Sequence, residues 1–448
     1  MGLPQGKGSG GLAAGLQGVG RILFVERLRV DMEPPRVAVA PQPQRNDEVH
    51  DQPAEASPAK EISPTYVGDG RLLAVLTTTM FVVVTNTFMV APLLVDLAAE
   101  FRTSVGAMGQ LAAAAALPWA ILAPFMGVLS DRYGRRPVLS AGLAFLAVST
   151  LICSRAPDYS TLLLFRVLGG IGGATTGPNV MAAAAEYFPP QHRGRALGLV
   201  VAGISMSTVA GVPLAATAAA YLGWRWAFAA VGLLVLCLAV AVWTTLPRAK
   251  PRSVPSGYIS GILSALAYKS TPPLLVANVL ERASFTTVST YLAAFLMQSY
   301  SLRLEQVAPA LSVIALGTVV GSLFGGRLAD RGNQLGKFIT LQLVAAALAA
   351  PVFTTSPGVV ATALLAALFG VANSLARPAW MWMANRVPDS RRGATMGFAA
   401  TTNQLGLMVG AALGGALVGH GSYSPLGLLV VGGSVGAAAI CALFTSRE

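Results

Sequence analysis

The chain has 448 residues, of which 54% are apolar and only 11% charged, and its mean hydropathy is +0.63. An average soluble chain carries about 25% charged residues, so this composition cannot cover a water-facing surface and lipid must be the solvent for most of the chain. The net charge of +12 does not mark a nucleic-acid binder, because the basic residues stand in short clusters between apolar runs and no basic domain gathers them.

Residues 1–66 are rich in Pro, Gly, Gln and charge and read as a disordered cytoplasmic tail. The stretch 13–25 is broken by three glycines, Gly15, Gly18 and Gly20, and makes a poor signal-peptide core. Met1 and Met32 both fit as a start.

A membrane helix needs about 20 mainly apolar residues to cross about 30 Å of hydrocarbon. Twelve stretches qualify: 72–95, 106–129, 137–155, 161–185, 196–220, 226–246, 273–297, 306–325, 338–355, 358–384, 396–418 and 425–444. They are too long and too uniformly apolar for the alternating segments of a β-barrel. The expectation is an all-α membrane protein with twelve transmembrane helices. Its parts are the tail, a first six-helix half (67–247), a linker (248–269) and a second six-helix half (270–448).

The first stretch holds Asn86 and Thr87 at mid-depth, candidates for the wall of a substrate cavity. The second ends in GVLSDRYGRRPV, 127–138. Arginines alone would obey the rule that cytoplasmic loops are basic, but that rule does not explain Asp131 or the glycines. The segment resembles the signature loop of the major facilitator superfamily, G-x-L-[AS]-D-R-x-G-R-[RK], through Gly127, Asp131, Arg132, Gly134, Arg135 and Arg136. The resemblance implies a major facilitator fold. It also implies that this loop gates the transport cycle, with Asp131 at the start of the eleventh helix near Gly393 and Ala394. A carboxylate at a helix N-terminus gains from the macrodipole there.

In the fourth stretch, RVLGGIGGA (166–174) resembles the helix-4 motif of proton-coupled members. Arg166 then belongs to proton coupling, and Gly169, Gly170, Gly172 and Gly173 permit close helix contact. Arg166 could instead snorkel outward to headgroups. In the fifth stretch Gly198, Ser207, Gly211 and Pro213 partly resemble the motif of drug:proton antiporters, in which small residues tighten the contact between halves. Here the proline is shifted by one and Ser207, Ala215 and Ala216 replace glycines, so plain helix packing explains the pattern equally well. The Trp224–Arg225 pair that follows suits a membrane interface.

Antiporters of this branch often carry an acid in the first helix, and this chain has none there. The only acid inside a stretch is Glu281, in the seventh; the other interior charges are Arg166, Arg282 and Arg377. Glu281 lies about 16 Å from the start of its helix, and Arg377 about 14 Å from the same side on the tenth. A carboxylate that alternates between an apolar setting and an arginine partner can load and release a proton. The other reading is a static Glu281–Arg377 pair. Arg282, about 100° round the helix from Glu281, is expected to point elsewhere. Asn373 is a further cavity candidate.

GRLADR at 326–331 repeats GVLSDR at 127–132, an offset of 199, and VPDSRRGATMG (387–397) repeats FPPQHRGRALG (188–198) at the same offset. Gly326, Asp330 and Arg331 are therefore candidates for a second gate, although Asn333 replaces the glycine and Gln334 and Leu335 the paired arginines. Two parallel halves with a midplane site between them are a transporter architecture.

Lys and Arg crowd the even-numbered connections (Arg132, Arg135 and Arg136; Arg193 and Arg195; Arg248 and Lys250; Arg327 and Lys337; Arg386, Arg391 and Arg392), while the odd ones carry only Arg102, Arg155, Arg225 and Arg303. Both termini are then cytoplasmic, in a multi-pass protein of the plasma or inner membrane. Cys153, Cys237, Cys441, His50, His192 and His420 are scattered, so neither a metal site nor a cofactor is expected.

The reading is a monomeric secondary transporter of the twelve-helix drug:proton antiporter type, moving a small amphipathic substrate against protons by alternating access. An uptake symporter or uniporter on the same fold is the first rival. A membrane enzyme or sensor is the second; an enzyme would want clustered His, Asp or Glu near a membrane surface, and the sequence has no such cluster.

Overall fold

The computed structural model describes residues 69–248, 271–329, 332–386, 389–418 and 422–445. The tail, the linker beyond Arg248, and the repeat residues Asp330 and Arg331 lie outside the described residues. Those described fall in one compact unit, Pro64–Glu448, and contain no strand.

The helices in order are α1 Gly70–Phe88, α2 Leu94–Glu100, α3 Val105–Tyr133, α4 Arg135–Cys153, α5 Tyr159–Ala174, α6 Thr176–Tyr187, α7 Pro190–Met206, α8 Val212–Leu222, α9 Trp224–Thr245, α10 Thr271–Ser299, α11 Leu304–Ala329, α12 Gln334–Thr354, α13 Val359–Ala384, α14 Asp389–Val418 and α15 Ser424–Thr445. Their starts follow local chemistry. Asp69, Ser104 and Asp158 precede α1, α3 and α5, and each side chain accepts a backbone N–H three residues on, at 2.8, 3.0 and 2.8 Å. Such caps satisfy donors that a helix start otherwise leaves free.

Among the described residues nine helical rods are long and apolar enough to cross a membrane, counting α1–α2 and α7–α8 as single rods. The expected count of twelve adds α5–α6, α10 and α14. Those three carry the interior polar residues Arg166, Asn278 and Glu281, and Asn403 and Gln404.

Burial is inverted relative to a water-soluble protein. Leu428, Leu323 and Trp226 are 72%, 69% and 66% exposed, while Asn278, Glu281, Asn373 and Asn179 are at most 2% exposed. Apolar residues outside and polar ones inside is the arrangement lipid demands, because only the interior offers partners for polar groups.

The helices pack in a repeating pattern. In the first part of the chain α3 packs on α5, α4 on α5 and α9, and α1 on α7 and α9. In the second, α11 packs on α13, α12 on α13 and α15, and α10 on α14 and α15. The two parts meet through α14 along α3 and α11 along α8. The turn between α3 and α4 is a single residue, Gly134, at φ 92°, a conformation closed to L side chains. At the same place in the second part Asn333 adopts φ 56° and accepts the N–H of Gly336 at 2.9 Å. Asparagine tolerates this left-handed conformation, so the glycine-to-asparagine exchange between the two copies keeps the reversal.

Candidate functional site

A cavity of about 430 Å³ lies between the helices. Its wall draws on Val84 and Thr87 of α1, Trp119 of α3, Arg282 and Phe285 of α10, Ile314 of α11, Phe369 of α13 and Gln404 of α14. A smaller chamber of about 40 Å³ adjoins it and shares Thr87, Trp119, Gln404 and Leu407. The chamber adds Asn86, Arg166 and Thr286. An apolar wall with a few placed polar groups is the usual make-up of a small-molecule site.

Arg166 does not snorkel outward. It is 5% exposed, and its Nη1 and Nη2 donate to the carbonyl oxygens of Asn86 at 3.2 Å and Thr87 at 3.4 Å. The α1 segment around Asn86 thus meets Arg166 through its backbone. The Asn86 side chain instead accepts Thr150 Oγ1 at 3.2 Å. Arg166 Nε has no partner, and among the described residues no carboxylate pairs with this guanidinium. Burying a lone ion costs several kcal/mol even after relaxation.

On the other side of the cavity three helices build a polar cluster. Glu281, 2% exposed, accepts from Arg282 Nε at 2.6 Å and from Arg282 Nη2, and Arg377 Nη1 reaches it at 3.4 Å. The expectation that Arg282 points away from Glu281 is overturned: the long side chain bends back across the 100° step and meets the carboxylate through two nitrogens. Arg282 then stacks 4.9 Å from the Phe285 ring and lines the cavity, which Glu281 does not. Asn373 is fully buried behind Arg282 and accepts its Nη2 at 2.6 Å, so it orients the arginine and does not form the wall. Arg377 also donates to Asn278 and, at 3.2 Å, to Asn403. Asn278 and Asn403 were not singled out from sequence; an asparagine inside an apolar run was the available signal.

In the signature loop, Arg135 is the hub. Its Nε and Nη2 bind Glu186 at 2.7 Å each, its Nη1 binds Ser130 at 2.8 Å, and Nη2 binds Asp131 at 3.0 Å. Glu186, at the end of α6, was missed by the sequence reading although it is an isolated acid at a helix end. Asp131 is here a partner of Arg135. The side chains at 393–394, expected near it, lie outside the described residues. Arg136 stacks 4.6 Å from Trp243 and Arg132 5.5 Å from Tyr133. Gly127 and Gly326 face open space.

The packing glycines divide. A Cβ on Gly170 would strike the Ala115 carbonyl of α3, and on Gly173 it would come within 3.2 Å of Trp119; on Gly169 it would lie 3.1 Å from Ser149. Gly211 closes on Thr85 of α1, within the same part of the chain, so it does not tighten the contact between the two parts. Gly198 has nothing near it and serves no helix contact here, a correction to the expectation. Pro213 follows a widened turn, Ser207–Gly211, whose extra residue keeps its ring off the preceding carbonyls. The close contact of α14 with α10 runs through Gly406 and Gly410, four residues apart and so on one helix face, on Val279 and Ala283.

Comparisons with known proteins match this architecture. The Major Facilitator Superfamily profile matches residues 76–381 and again 274–448. The inner membrane transport protein YdhP of Escherichia coli K12 is 28% identical over 78% of this chain and 90% of its own length. A chloramphenicol resistance protein of Streptomyces lividans is 29% identical over 55% of this chain and 64% of its own. The crystal structure of a bacterial homolog to the human lysosomal transporter Spinster superposes with a TM-score of 0.69 at 18% identity, covering 84% of this chain and 96% of that one. With this profile match, this fold and a cavity among helices whose outer face is apolar, the chain belongs to the Major Facilitator Superfamily and is a multi-pass membrane transporter, not an enzyme.

Proposed function

We propose that the protein is a proton-coupled exporter of small amphipathic compounds, working by alternating access as a monomer in the plasma or inner membrane. The observation that carries this reading is the 430 Å³ cavity walled by helices from both parts of the chain, with an acid–arginine cluster at its edge. The resistance named for the Streptomyces relative points the same way. The repeated helix contacts and the two profile matches, which start 198 residues apart, support two six-helix halves and twelve spans. The halves rock about the cavity, and the basic connections put both termini in the cytoplasm.

Glu281 is the coupling acid. It takes up a proton when rocking parts it from Arg282 and Arg377 and gives the proton up when they close again. Arg166, the interior charge of the other half, adds to the positive potential of the cavity, which favours release of the proton from Glu281. Asn86 and Thr87 shape the first-half wall, and the Arg135–Asp131–Glu186 cluster latches the cytoplasmic side.

The test is proteoliposomes with an imposed pH gradient. Wild type accumulates substrate, and Glu281→Gln loses gradient-driven accumulation while keeping exchange. Unchanged accumulation in Glu281→Gln removes the carrier role and leaves a static cluster.

A further inference from the structure

We infer that the cavity selects substrates with a single acidic group, a carboxylate or equivalent monoanion, and that Arg166 anchors that group; this deepens the transporter reading and rests on it. The charge count of the interior is the starting point. Among the described residues three guanidinium groups, Arg166, Arg282 and Arg377, stand inside the helices against one carboxylate, Glu281. Glu281 is engaged by Arg282 and Arg377 together, so the interior carries an unbalanced positive charge whichever of them it is assigned to. Arg166 has no acid at all.

The geometry at Arg166 is that of an unfilled site. A guanidinium offers five N–H donors. Here two nitrogens reach backbone carbonyls at 3.2 and 3.4 Å, long for charge-assisted bonds, and Nε has no partner. The same chamber is lined by a second unpartnered donor, the hydroxyl of Thr286, a residue that is 3% exposed. Buried polar groups are nearly always satisfied, so two unpartnered donors at one chamber point to an acceptor group that arrives with the cargo. A planar acid group suits a guanidinium, which binds carboxylates through paired N–H bonds.

The body of such a cargo has a place. Thr87, Trp119, Gln404 and Leu407 belong to both spaces, so an acid group in the chamber leads directly into the larger cavity. Phe285, Ile314 and Phe369 give that cavity an apolar wall, and Arg282 adds a second positive charge. A lipophilic cation would meet only charges of its own sign there.

The experiment uses full-length protein in nanodiscs and three fluorescent probes of one skeleton: dansylglycine, its methyl ester and a dansyl quaternary ammonium compound. Wild type is expected to bind dansylglycine at least tenfold more tightly than the ester and to reject the cation. Arg166→Gln should bring carboxylate and ester to equal affinity, and Arg166→Lys should restore part of the preference. The wild-type charge series stands by itself if Arg166→Gln fails to fold. Equal or tighter binding of the cation, no binding of dansylglycine, or a preference that survives in folded Arg166→Gln overturns the inference. Gradient-driven transport of the ester by a protein showing no carboxylate preference would leave the transporter reading standing and this inference refuted.

Discussion

Arg135 is 9% exposed and binds Glu186, Ser130 and Asp131 together, whereas the Asp131 side chain is 41% exposed. Their substitutions should therefore differ. Arg135→Gln strips Glu186 of a two-nitrogen partner and should lower unfolding stability by about 1–3 kcal/mol. Asp131→Asn removes one exposed ion pair, worth at most about 1 kcal/mol, and should reduce transport while leaving the unfolding midpoint nearly in place. Thermal unfolding in detergent together with transport rate separates the two; equal losses of stability would show that Asp131, not Arg135, holds the loop. The sequence motif contained both residues and ranked neither. Ranking them needed Glu186, which lies 51 residues from Arg135, a distance that no local pattern spans. The same limit hid the Arg282–Glu281 contact. Helical periodicity gives the direction of a Cβ, and a long side chain can leave that direction.

Glycine spacing was legible along each helix, but which glycines touch a neighbour was not. Gly170 and Gly198 looked alike in sequence, yet one abuts the Ala115 carbonyl and the other faces open space. Gly170→Leu should force α5 off α3 and cost about 1–3 kcal/mol as overpacking. Gly198→Ala should be neutral or stabilise by up to about 1 kcal/mol, because alanine is the better helix former. Melting temperatures of the two purified variants check this, and a destabilised Gly198→Ala would mean that α7 packs more tightly in another state of the cycle. Helices α5–α6, α10 and α14 were found from their apolar length although each carries polar residues. Their interior Arg, Asn and Gln groups face partners or cavities, and this lets a helix with a weaker apolar signal sit inside the bundle.

At the scale of the molecule, the two parts of the chain close on each other at one end. Tyr291 of α10 is fully buried there; its hydroxyl donates to the Ala411 carbonyl of α14, and its ring occupies the space that a Cβ on Gly109 of α3 would need. Beside it Gln110 Nε2 donates to the Ala412 carbonyl at 3.1 Å, and Gly415 lies against the Gly106 carbonyl. At the opposite ends of α3 and α11, Gly127 and Gly326 have open space. The offset of 199 pointed to two halves, but the end at which they meet depends on contacts that only the folded helices create. Gly109→Val should drive its methyls into the Tyr291 ring and destabilise this closure by about 1–3 kcal/mol. Since 1.4 kcal/mol is a factor of ten, the ratio of open to closed at this end should rise by about fivefold to 150-fold. Spin labels on cysteines placed at Arg102 and Ser301, in a background lacking Cys153, Cys237 and Cys441, would report it as a longer mean distance. Adding Tyr291→Ala to Gly109→Val removes the clash and should bring the short distance back. A distance distribution that Gly109→Val leaves unchanged, in protein that is folded, would mean that Tyr291 does not control this closure and that the two parts are held at this end by the Gly106–Gly415 contact instead.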